Sequence, residues 1–438
     1  MPELFKSLNS YSALQKESSL SAEEWTKAVA FNATDFGWIV MNVGMAIGAG
    51  IVFLPIQVGL DGIWVFIAAA FLGYPTLYAF QRLYLNVLAG SDDCDNFSSI
   101  ISGYLGKNAG LLLGIALFLL SVIAIFLYST ALTNDSASFL VSFAVTETPL
   151  SENIFYGLIV ICFMVAIASQ GEKLLMKISM SMVCTKFLVI VIMGLIMIQY
   201  WDLSNVSVLP NISLFIRQVI SMFPLIALSI AFFPALNPVI TYYRKNQGNK
   251  SVAHYRAMRV LNYAYFLLLA AVLFYVISFN LSINHDQAVL AYQENISSLA
   301  LVASSIEGNL VKIFSLILNI FAVMTAYFSI FLAFRDSCMG ITLNVLKRFM
   351  PEENINRTYI RYGTSIFCIC LSWAVIILNL PILSLASLLG PLMGLIGCLL
   401  PVWVVMKVPH FKAYRNWTLI PVTILGSMLI IAPLVTIF

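Results

Sequence analysis

The stretch MNVGMAIGAGIVFLPIQVG, residues 41–59, is apolar enough to cross a membrane, yet it contains three glycines within seven residues. Each glycine destabilises a helix by about 1 kcal/mol relative to alanine, and a proline such as Pro55 does so by more. In hydrocarbon, a broken helix leaves backbone polar groups without water to bind them. The pattern therefore predicts that the helix is interrupted near Gly48 and Gly50 and that this interruption serves the function. The alternative is close packing of a second helix on Gly44-x-x-x-Gly48.

The composition places this stretch in a membrane protein. Of the 438 residues, 61% are hydrophobic and 10% are charged, and the mean hydropathy is +0.94. These values are typical of a chain with many membrane spans, whose main partner is the lipid bilayer. The net charge of +3 is too small to predict a nucleic-acid partner. The seven cysteines form no C-x-x-C pair and the three histidines are well separated, so we expect no metal site and no cofactor.

The number of spans follows from counting stretches of about 20 apolar residues. Eleven such stretches are present, at about 36–58, 62–85, 110–132, 153–171, 177–200, 217–243, 258–280, 308–334, 359–379, 383–407 and 417–437. The sequence therefore predicts an all-α polytopic membrane protein with 11 transmembrane helices. It divides into an N-terminal segment (1–35), a ten-span core (36–407), and a loop with an eleventh span (408–438).

The positive charges predict how the chain is oriented. If the N-terminus lies in the cytoplasm, twenty of the 23 lysines and arginines fall at cytoplasmic loops or span ends. The exceptions are Arg217 and Lys312, each at the start of a span, and Lys186 inside the fifth span. Cytoplasmic loops of membrane proteins are enriched in these residues. The bias therefore predicts a cytoplasmic N-terminus and, after eleven spans, a C-terminus on the periplasmic side.

A second interruption occurs in the sixth span, SIAFFPALNPVITYY, residues 229–243. Pro234 and Pro238 each remove an amide donor, which predicts a break in the middle of this span. The interruption lies about 185 residues after Gly48, which is half the length of the ten-span core, so the two interruptions occupy equivalent positions in two halves. Discontinuous helices in equivalent positions of two repeats indicate a transporter's binding site. With five spans in each half, the repeats (about 36–200 and 217–407) have opposite orientations.

The two breaks are suited to a small zwitterion. Free amides at half-helix N-termini favour a carboxylate, and free carbonyls at C-terminal ends favour an ammonium. This chemistry predicts an amino acid as the substrate. We expect its contacts to come from the residues at the two breaks, namely Ala46, Ile47, Gly48, Ala49, Gly50, Phe232, Phe233, Ala235 and Asn237.

Several stretches resemble a known family. GMAIGAGIVFLPIQVGLDGIW (44–64) is similar to the first span of the hydroxy and aromatic amino acid permeases, within the amino acid–polyamine–organocation superfamily. GPLMGLIGCLLPVWVVMKVPHFKAYRNW (390–417), LYSTALTN (127–134) and IQYWD (198–202) are similar to the serine/threonine branch. The resemblance implies a bacterial inner-membrane symporter that takes up a small hydroxy amino acid with a proton. It also implies the five-plus-five fold of the leucine transporter.

The residues near the second break depart from this branch. The resemblance implies a run of serine and asparagine before the proline, whereas FFPALNP keeps only Asn237 as a polar side chain. Because a substrate hydroxyl is selected by polar groups that meet it, an aromatic or other neutral amino acid remains an alternative substrate. Tyr128, in the third span, is a candidate lid or carboxylate partner. The alternative is a tyrosine that packs between helices.

Lys186, in the fifth span, is the candidate for ion coupling, because a lysine inside the membrane is costly unless it is paired or near water. In the fold that the resemblance implies, a cation or a lysine ammonium lies between spans one, five and eight. Thr325 and Ser329 are four residues apart on one face of span eight and are expected to accept hydrogen bonds from this ammonium. The alternatives are a lysine that extends to the interface, and transport by sodium coupling or exchange.

Other classes of protein fit the sequence less well. A membrane enzyme needs a polar catalytic group such as paired acids or a histidine cluster at membrane depth, and the spans contain none. A channel is expected to show ring-forming selectivity motifs, which are also missing from the sequence. The sequence therefore predicts a transporter and not an enzyme.

Overall fold

The computed structural model describes residues 13–91, 97–169, 172–206, 209–306, 308–346 and 356–437, and within them it contains helices and no strand. Residues 1–12 of the predicted N-terminal segment lie outside this set. We number the α-helices α1 (Ala22–Ala28), α2 (Ala33–Ala46), α3 (Ala49–Asp61), α4 (Ile63–Gly90), α5 (Phe97–Leu105), α6 (Lys107–Ser142), α7 (Ile154–Ala168), α8 (Glu172–Met197), α9 (Ile212–Ile230), α10 (Phe233–Gln247), α11 (Lys250–Ser282), α12 (His285–Gln293), α13 (Ser298–Ser305), α14 (Asn309–Leu346), α15 (Arg357–Leu378), α16 (Ile382–Met393), α17 (Leu400–Lys407) and α18 (Leu419–Ile437). The prediction of an all-α membrane fold is confirmed.

The helices that suit a membrane correspond to the predicted stretches. Within the described residues, eight helical segments are long and apolar enough to cross it when α9 is counted with α10 and α16 with α17. The bent pair α2–α3 gives a ninth. The shorter apolar helices α7 and α18 occupy the fourth and eleventh predicted stretches. Each of the eleven stretches thus contains helix within its described residues, and the number that cross the membrane stays a prediction.

The first predicted span is two helices. Asn32 caps the N-terminus of α2 in a capping box with Asp35, and α2 ends at Ala46. Ile47 and Gly48 are not helical, and α3 starts at Ala49 with a bend of 46° relative to α2. Pro55 lies inside α3 and does not interrupt it. The break therefore lies at the glycines, as the sequence predicts.

The sixth predicted span is also two helices, but the break precedes both prolines. α9 ends at Ile230, Ala231 and Phe232 are not helical, and α10 begins at Phe233. Pro234 occupies the first turn of α10, where a missing amide hydrogen costs no hydrogen bond. The prediction that Pro238 helps to break the helix is wrong, since Pro238 lies within α10.

The packing of the helices shows two related halves. In the first half, α8 packs against α2 and α14, and in the second half α16 packs against α9 and α6. Likewise α4 packs against both parts of the second broken span, α9 and α10, while α11 packs against both parts of the first, α2 and α3. These contacts of the first half thus have counterparts in the second, as is expected for two repeats, and the bounds of the repeats stay a prediction.

The segment between the seventh and eighth predicted stretches, described at residues 281–306, is largely helical. It forms α12 and α13, and Asn284 and Ser297 cap their N-termini. We call the end of the bundle that carries α1 and the start of α2 the N-terminal face. The end that carries the last turn of α3 together with α12 and α13 is the opposite face.

Candidate functional site at the two helix breaks

The first break is capped by a tyrosine from α6. The hydroxyl oxygen of Tyr128 accepts a hydrogen bond of 3.1 Å from the backbone amide of Ala49, the first residue of α3. Both residues are buried. Because the first amides of a helix have no partner within it, this hydroxyl satisfies one of them. Tyr128 therefore lies at the break, which is compatible with a lid or carboxylate partner and also with a tyrosine that packs between helices.

The three glycines have different surroundings. A Cβ atom on Gly44 would lie 2.0 Å from the side chain of Val183, and one on Gly50 would lie 2.3 Å from the backbone of Leu228 and Ser229. These two glycines permit close packing, which was the alternative interpretation. Gly48 lies at the break itself, where a Cβ atom would be 2.7 Å from the Tyr128 hydroxyl. Only this glycine faces the capping group.

Lys186 of α8 reaches the same break from the other side. Its ammonium donates hydrogen bonds to the carbonyl oxygens of Gly44 (2.7 Å) and Ile47 (3.0 Å), at the C-terminal end of α2. The third bond, of 2.8 Å, goes to the hydroxyl of Thr325 in α14. An ammonium has three donors, and all three are used. The side chain is fully buried, so it does not extend to the interface as the alternative required.

The two hydroxyls predicted on α14 make different contacts. Thr325 accepts from Lys186 and donates to the carbonyl oxygen of Phe321 at 2.7 Å. Ser329, one turn further, donates to the backbone carbonyl of Thr325 at 3.0 Å, and no bond joins it to Lys186. The structure thus brings Lys186 and Thr325 together and leaves Ser329 one turn away.

The second break is capped by Gln81 of α4, which the sequence analysis did not identify. Its amide oxygen accepts a bond of 2.9 Å from the backbone amide of Phe232. Its amide nitrogen is 3.4 Å from the carbonyl oxygen of Ile230, to which it donates. One fully buried carboxamide therefore satisfies a backbone group on each side of the break. The signal available in the sequence was a glutamine within the apolar second span.

The residues predicted around the second break do not all face the first. Phe232, Phe233 and Ala235 are buried, and the ring of Phe233 packs edge-on against Phe80 and Tyr84 of α4. This contact directs Phe233 toward α4. Asn237 lies in the second turn of α10, beyond the break, and is partly buried.

The two breaks are adjacent in space. The close approach of Gly50 to Leu228 and Ser229 joins the first turn of α3 to the last turn of α9. Each of these turns ends at a break. Backbone groups from both breaks, the Tyr128 hydroxyl and the Lys186 ammonium are thus collected in one buried region. No group of three or more His, Cys, Asp or Glu side chains that suits a metal ion occurs among the residues described.

The other end of α2 is held by charges at the N-terminal face. The buried carboxylate of Asp35 accepts bonds from Arg256 at 2.9 and 3.1 Å and from Arg259 at 2.8 Å, both on α11. Tyr243 of α10 donates a further hydrogen bond to it. The half-helix α2 is therefore attached by side chains at both ends, to α10 and α11 at its start and to α8 and α14 at its end.

Comparisons with known proteins place transporters among the relatives of this chain. No protein-family model matches the chain. It is 48% identical over 417 residues to the probable serine transporter of Escherichia coli (strain K12), which covers 94% of each chain. It is 27% identical over 399 residues to serine transporter SdaC of the same strain, covering 88% of this chain and 91% of the relative.

Two further proteins are more distant. Threonine/serine transporter TdcC of Escherichia fergusonii is 24% identical over 406 residues, which covers 87% of this chain and 90% of the relative. Among solved structures, the crystal structure of MhsT in complex with L-phenylalanine aligns with a TM-score of 0.49 and 12% identity, over 92% of this chain and 97% of that chain. The prediction of a transporter and not an enzyme is confirmed by the curated relatives. The chain belongs to the serine/threonine branch of the hydroxy and aromatic amino acid permease family.

Proposed function

We propose that this chain is a secondary active transporter that carries serine, and also threonine, into the cell together with a proton. Serine is supported by the names of the relatives, since the one at 48% identity covers nearly the whole chain. Threonine is supported by the more distant threonine/serine transporter. The buried backbone groups at the two breaks supply donors and acceptors suited to the amino and carboxylate groups of such a substrate.

Coupling to a proton is supported above all by the contacts of Lys186. Its ammonium bridges the end of α2 and Thr325 of α14, where it binds the carbonyl oxygens that a cation would otherwise bind. A lysine can lose its proton, and the neutral amine has fewer donors with which to bind these groups. Loss of the proton would therefore loosen α2 from α14, which links the proton to the position of a half-helix at the substrate site.

The attachment of α2 at both ends suggests which part moves. In the conformation described, Asp35 and its two arginines attach the start of α2 to α11 at the N-terminal face, and Lys186 binds the end of α2. If this face is cytoplasmic, as the positive charges predict, release of the substrate requires both attachments to weaken. The proposal therefore places the chain in a bacterial inner membrane with a cytoplasmic N-terminus and a periplasmic C-terminus.

Counterflow in proteoliposomes tests the substrate. Vesicles that contain the purified protein and unlabelled serine should accumulate labelled serine, and added serine or threonine should compete. Inhibition by tryptophan or phenylalanine but not by serine would assign the chain to an aromatic substrate, an alternative that the phenylalanines at the second break favour. The absence of counterflow with every amino acid would overturn the proposal of transport.

Imposed gradients test the coupling ion. Uptake of labelled serine should exceed equilibrium when the outside is more acidic than the inside, and it should not respond to a sodium gradient at constant pH. Accumulation driven by sodium alone would replace the proton with sodium. Exchange without accumulation under either gradient would identify an exchanger.

A further inference from the structure

Asp61, the last residue of α3, lines two cavities near the opposite face. A cavity of about 430 Å³ lies between α3, α9 and α16, and one of about 300 Å³ lies between α3, α9 and α11. Asp61 is twelve residues after Ala49, which places it about 18 Å further along the helix axis. This carboxylate therefore lies well away from the first break and from the Lys186 ammonium that binds there.

Neutral side chains make the hydrogen bonds of this carboxylate. One oxygen accepts a bond of 2.5 Å from the side-chain amide of Gln57, and the other accepts one of 3.1 Å from Gln218 of α9. No lysine or arginine is among the described residues that line the two cavities. A negative charge on Asp61 is therefore not balanced by these surroundings, unlike that of Asp35, which two arginines bind.

The place of Asp61 in its helix also disfavours a negative charge. The last carbonyls of a helix give its C-terminal end a partial negative charge, which raises the free energy of an anion there. In the conformation described, the side chain is partly exposed, so solvent can stabilise the carboxylate. Closure of the opposite face would remove this solvent, and an ionised carboxylate without a cationic partner is costly to bury. Closure is therefore easier with a proton on Asp61.

Gln218 offers an acceptor for that proton. Its side-chain nitrogen donates to Asp61, whereas its side-chain oxygen is buried and has no hydrogen-bond partner among the described residues. A buried polar atom without a partner is uncommon, because the lost hydrogen bond is costly. A protonated carboxyl has an O–H donor, and rotation of the Gln218 carboxamide would bring its oxygen to this donor. Gln218 can therefore bind Asp61 in either protonation state.

Other titratable groups near Asp61 come from α12. Among the described residues, Tyr292 lines the larger cavity and His285 the smaller one, and α9, α11, α16 and α18 contribute no titratable side chain to either. Arg217 of α9 lines neither cavity and donates to the carbonyl oxygen of Val435. His285 is therefore the group whose titration an experiment has to separate from that of Asp61.

We propose that Asp61 is a second proton-binding site, which is loaded from the opposite face. A proton from water on that side binds a carboxylate oxygen, the new O–H donates to the side-chain oxygen of Gln218, and the neutral pair is enclosed as this face closes over the bound amino acid. If the opposite face is periplasmic, as the positive charges predict, a low outside pH favours the closed, substrate-bound state. This inference rests on the proposed function, because it adds a proton site to the same transport cycle.

Counterflow of labelled serine tests the proposal in proteoliposomes of uniform orientation, with the inside pH held constant and the outside pH varied. In the wild type, the serine concentration at half-maximal uptake should rise several-fold as the outside becomes alkaline, because Asp61 then stays ionised. Asp61→Asn has a neutral side chain at every pH and should keep the low value throughout. The matched controls are His285→Gln and Asp202→Asn, an exposed aspartate outside both cavities, and both should shift as the wild type does.

Infrared difference spectra of the protein in lipid nanodiscs detect the proton without requiring transport. On acidification, one C=O band of a neutral carboxyl should be present in the wild type and in Asp202→Asn but missing from Asp61→Asn. If Asp61→Asn is folded and does not transport, this band decides the question. Identical carboxyl bands in Asp61→Asn and the wild type would overturn the proposal.

The other outcomes separate this inference from the proposed function. Serine counterflow in the wild type that does not depend on the outside pH, or the same dependence in Asp61→Asn, would overturn the outer proton site alone. Loss of the dependence in His285→Gln but not in Asp61→Asn would assign the proton to the histidine. If sodium lowered the half-maximal concentration at alkaline pH as acid does, the site would bind a metal cation in place of a proton. A wild type without serine counterflow would instead overturn the proposed function.

Discussion

The two helix breaks occupy equivalent positions in the two halves, but different chemistry holds them. At the first break, a tyrosine hydroxyl caps α3 and a lysine ammonium caps α2, and these groups come from α6 and α8. At the second break, one neutral carboxamide, that of Gln81 on α4, satisfies both sides. Side chains of other helices therefore bind buried backbone groups at both breaks, but only the first break has a charged partner.

This difference indicates which break can respond to an ion. A carboxamide has the same hydrogen-bonding groups at every physiological pH, whereas an amine gains or loses donors with its proton. The hydrogen bonds of Gln81 at the second break therefore do not change with pH, whereas those of Lys186 at the first break change when it gains or loses a proton. Four sets of substitutions test this difference between the two breaks.

The largest effect is expected for Lys186. In Lys186→Gln and Lys186→Ala, pH-driven accumulation of serine should be lost, because no titratable group then bridges α2 and α14. Exchange of serine across the membrane should persist at a reduced rate. Accumulation and its pH dependence are measured in proteoliposomes with an imposed pH gradient.

Lys312→Gln is the matched control for this prediction. Lys312 is another lysine that donates to a backbone carbonyl, that of Ser142, but it lies at the start of α14, away from the breaks. It should keep the accumulation of the wild type. Unchanged accumulation in both Lys186 variants would contradict the role of this lysine in coupling.

The second effect concerns Gly48 and Tyr128. In Gly48→Ala the new methyl group would lie 2.7 Å from the Tyr128 hydroxyl, so uptake should fall strongly. Adding Tyr128→Phe removes that oxygen and should restore part of the uptake, because the next contact, to Ala326, is an ordinary 3.5 Å. Gly37→Ala, in the first turns of α2, has open space around the added atom and should behave as the wild type. A double variant no better than Gly48→Ala would exclude this steric explanation.

A smaller effect is expected at the second break. Gln81→Leu leaves the amide of Phe232 and the carbonyl of Ile230 without their partner, and each unsatisfied buried group costs about 1–3 kcal/mol. The variant should unfold at a lower temperature and bind serine more weakly, but the pH dependence of accumulation should not change. Thr76→Val is the control, because this half-buried threonine of the same helix donates only to a carbonyl oxygen of its own helix, that of Leu72. A shifted pH dependence in Gln81→Leu would mean that the neutral break also takes part in coupling.

The smallest effect compares two hydroxyls of α14. Thr325→Val removes one of the three acceptors of the Lys186 ammonium, which should weaken proton-coupled uptake by roughly fivefold for a loss of about 1 kcal/mol. Ser329→Ala removes a hydroxyl that bonds only to the backbone of Thr325, so its uptake should stay close to that of the wild type. Equal losses in both variants would show that the two hydroxyls act alike, contrary to the contacts described.

The sequence analysis located some parts of the site and missed others. The break at Gly48 was predictable because glycines that interrupt an apolar stretch act on their own segment. The contact between Lys186 and Thr325 was predicted from a family resemblance and helical spacing, and it is present. The contact expected between Ser329 and Lys186 is not present, because the Ser329 hydroxyl donates to the carbonyl oxygen of Thr325 in its own helix. The inclusion of Pro238 in the break was wrong, because α10 continues through this proline to Gln247.

By itself, the sequence determined the class of protein, its helices, and the place of the first break, because composition and glycine act along a single segment. Only the tertiary structure decided what holds each break. Gln81 lies 149 and 151 residues from its two partners, and Lys186 lies 142 and 139 residues from its carbonyl partners at the end of α2. Such pairs form because neighbouring helices bury unsatisfied backbone groups that cost free energy until a side chain from another helix binds them.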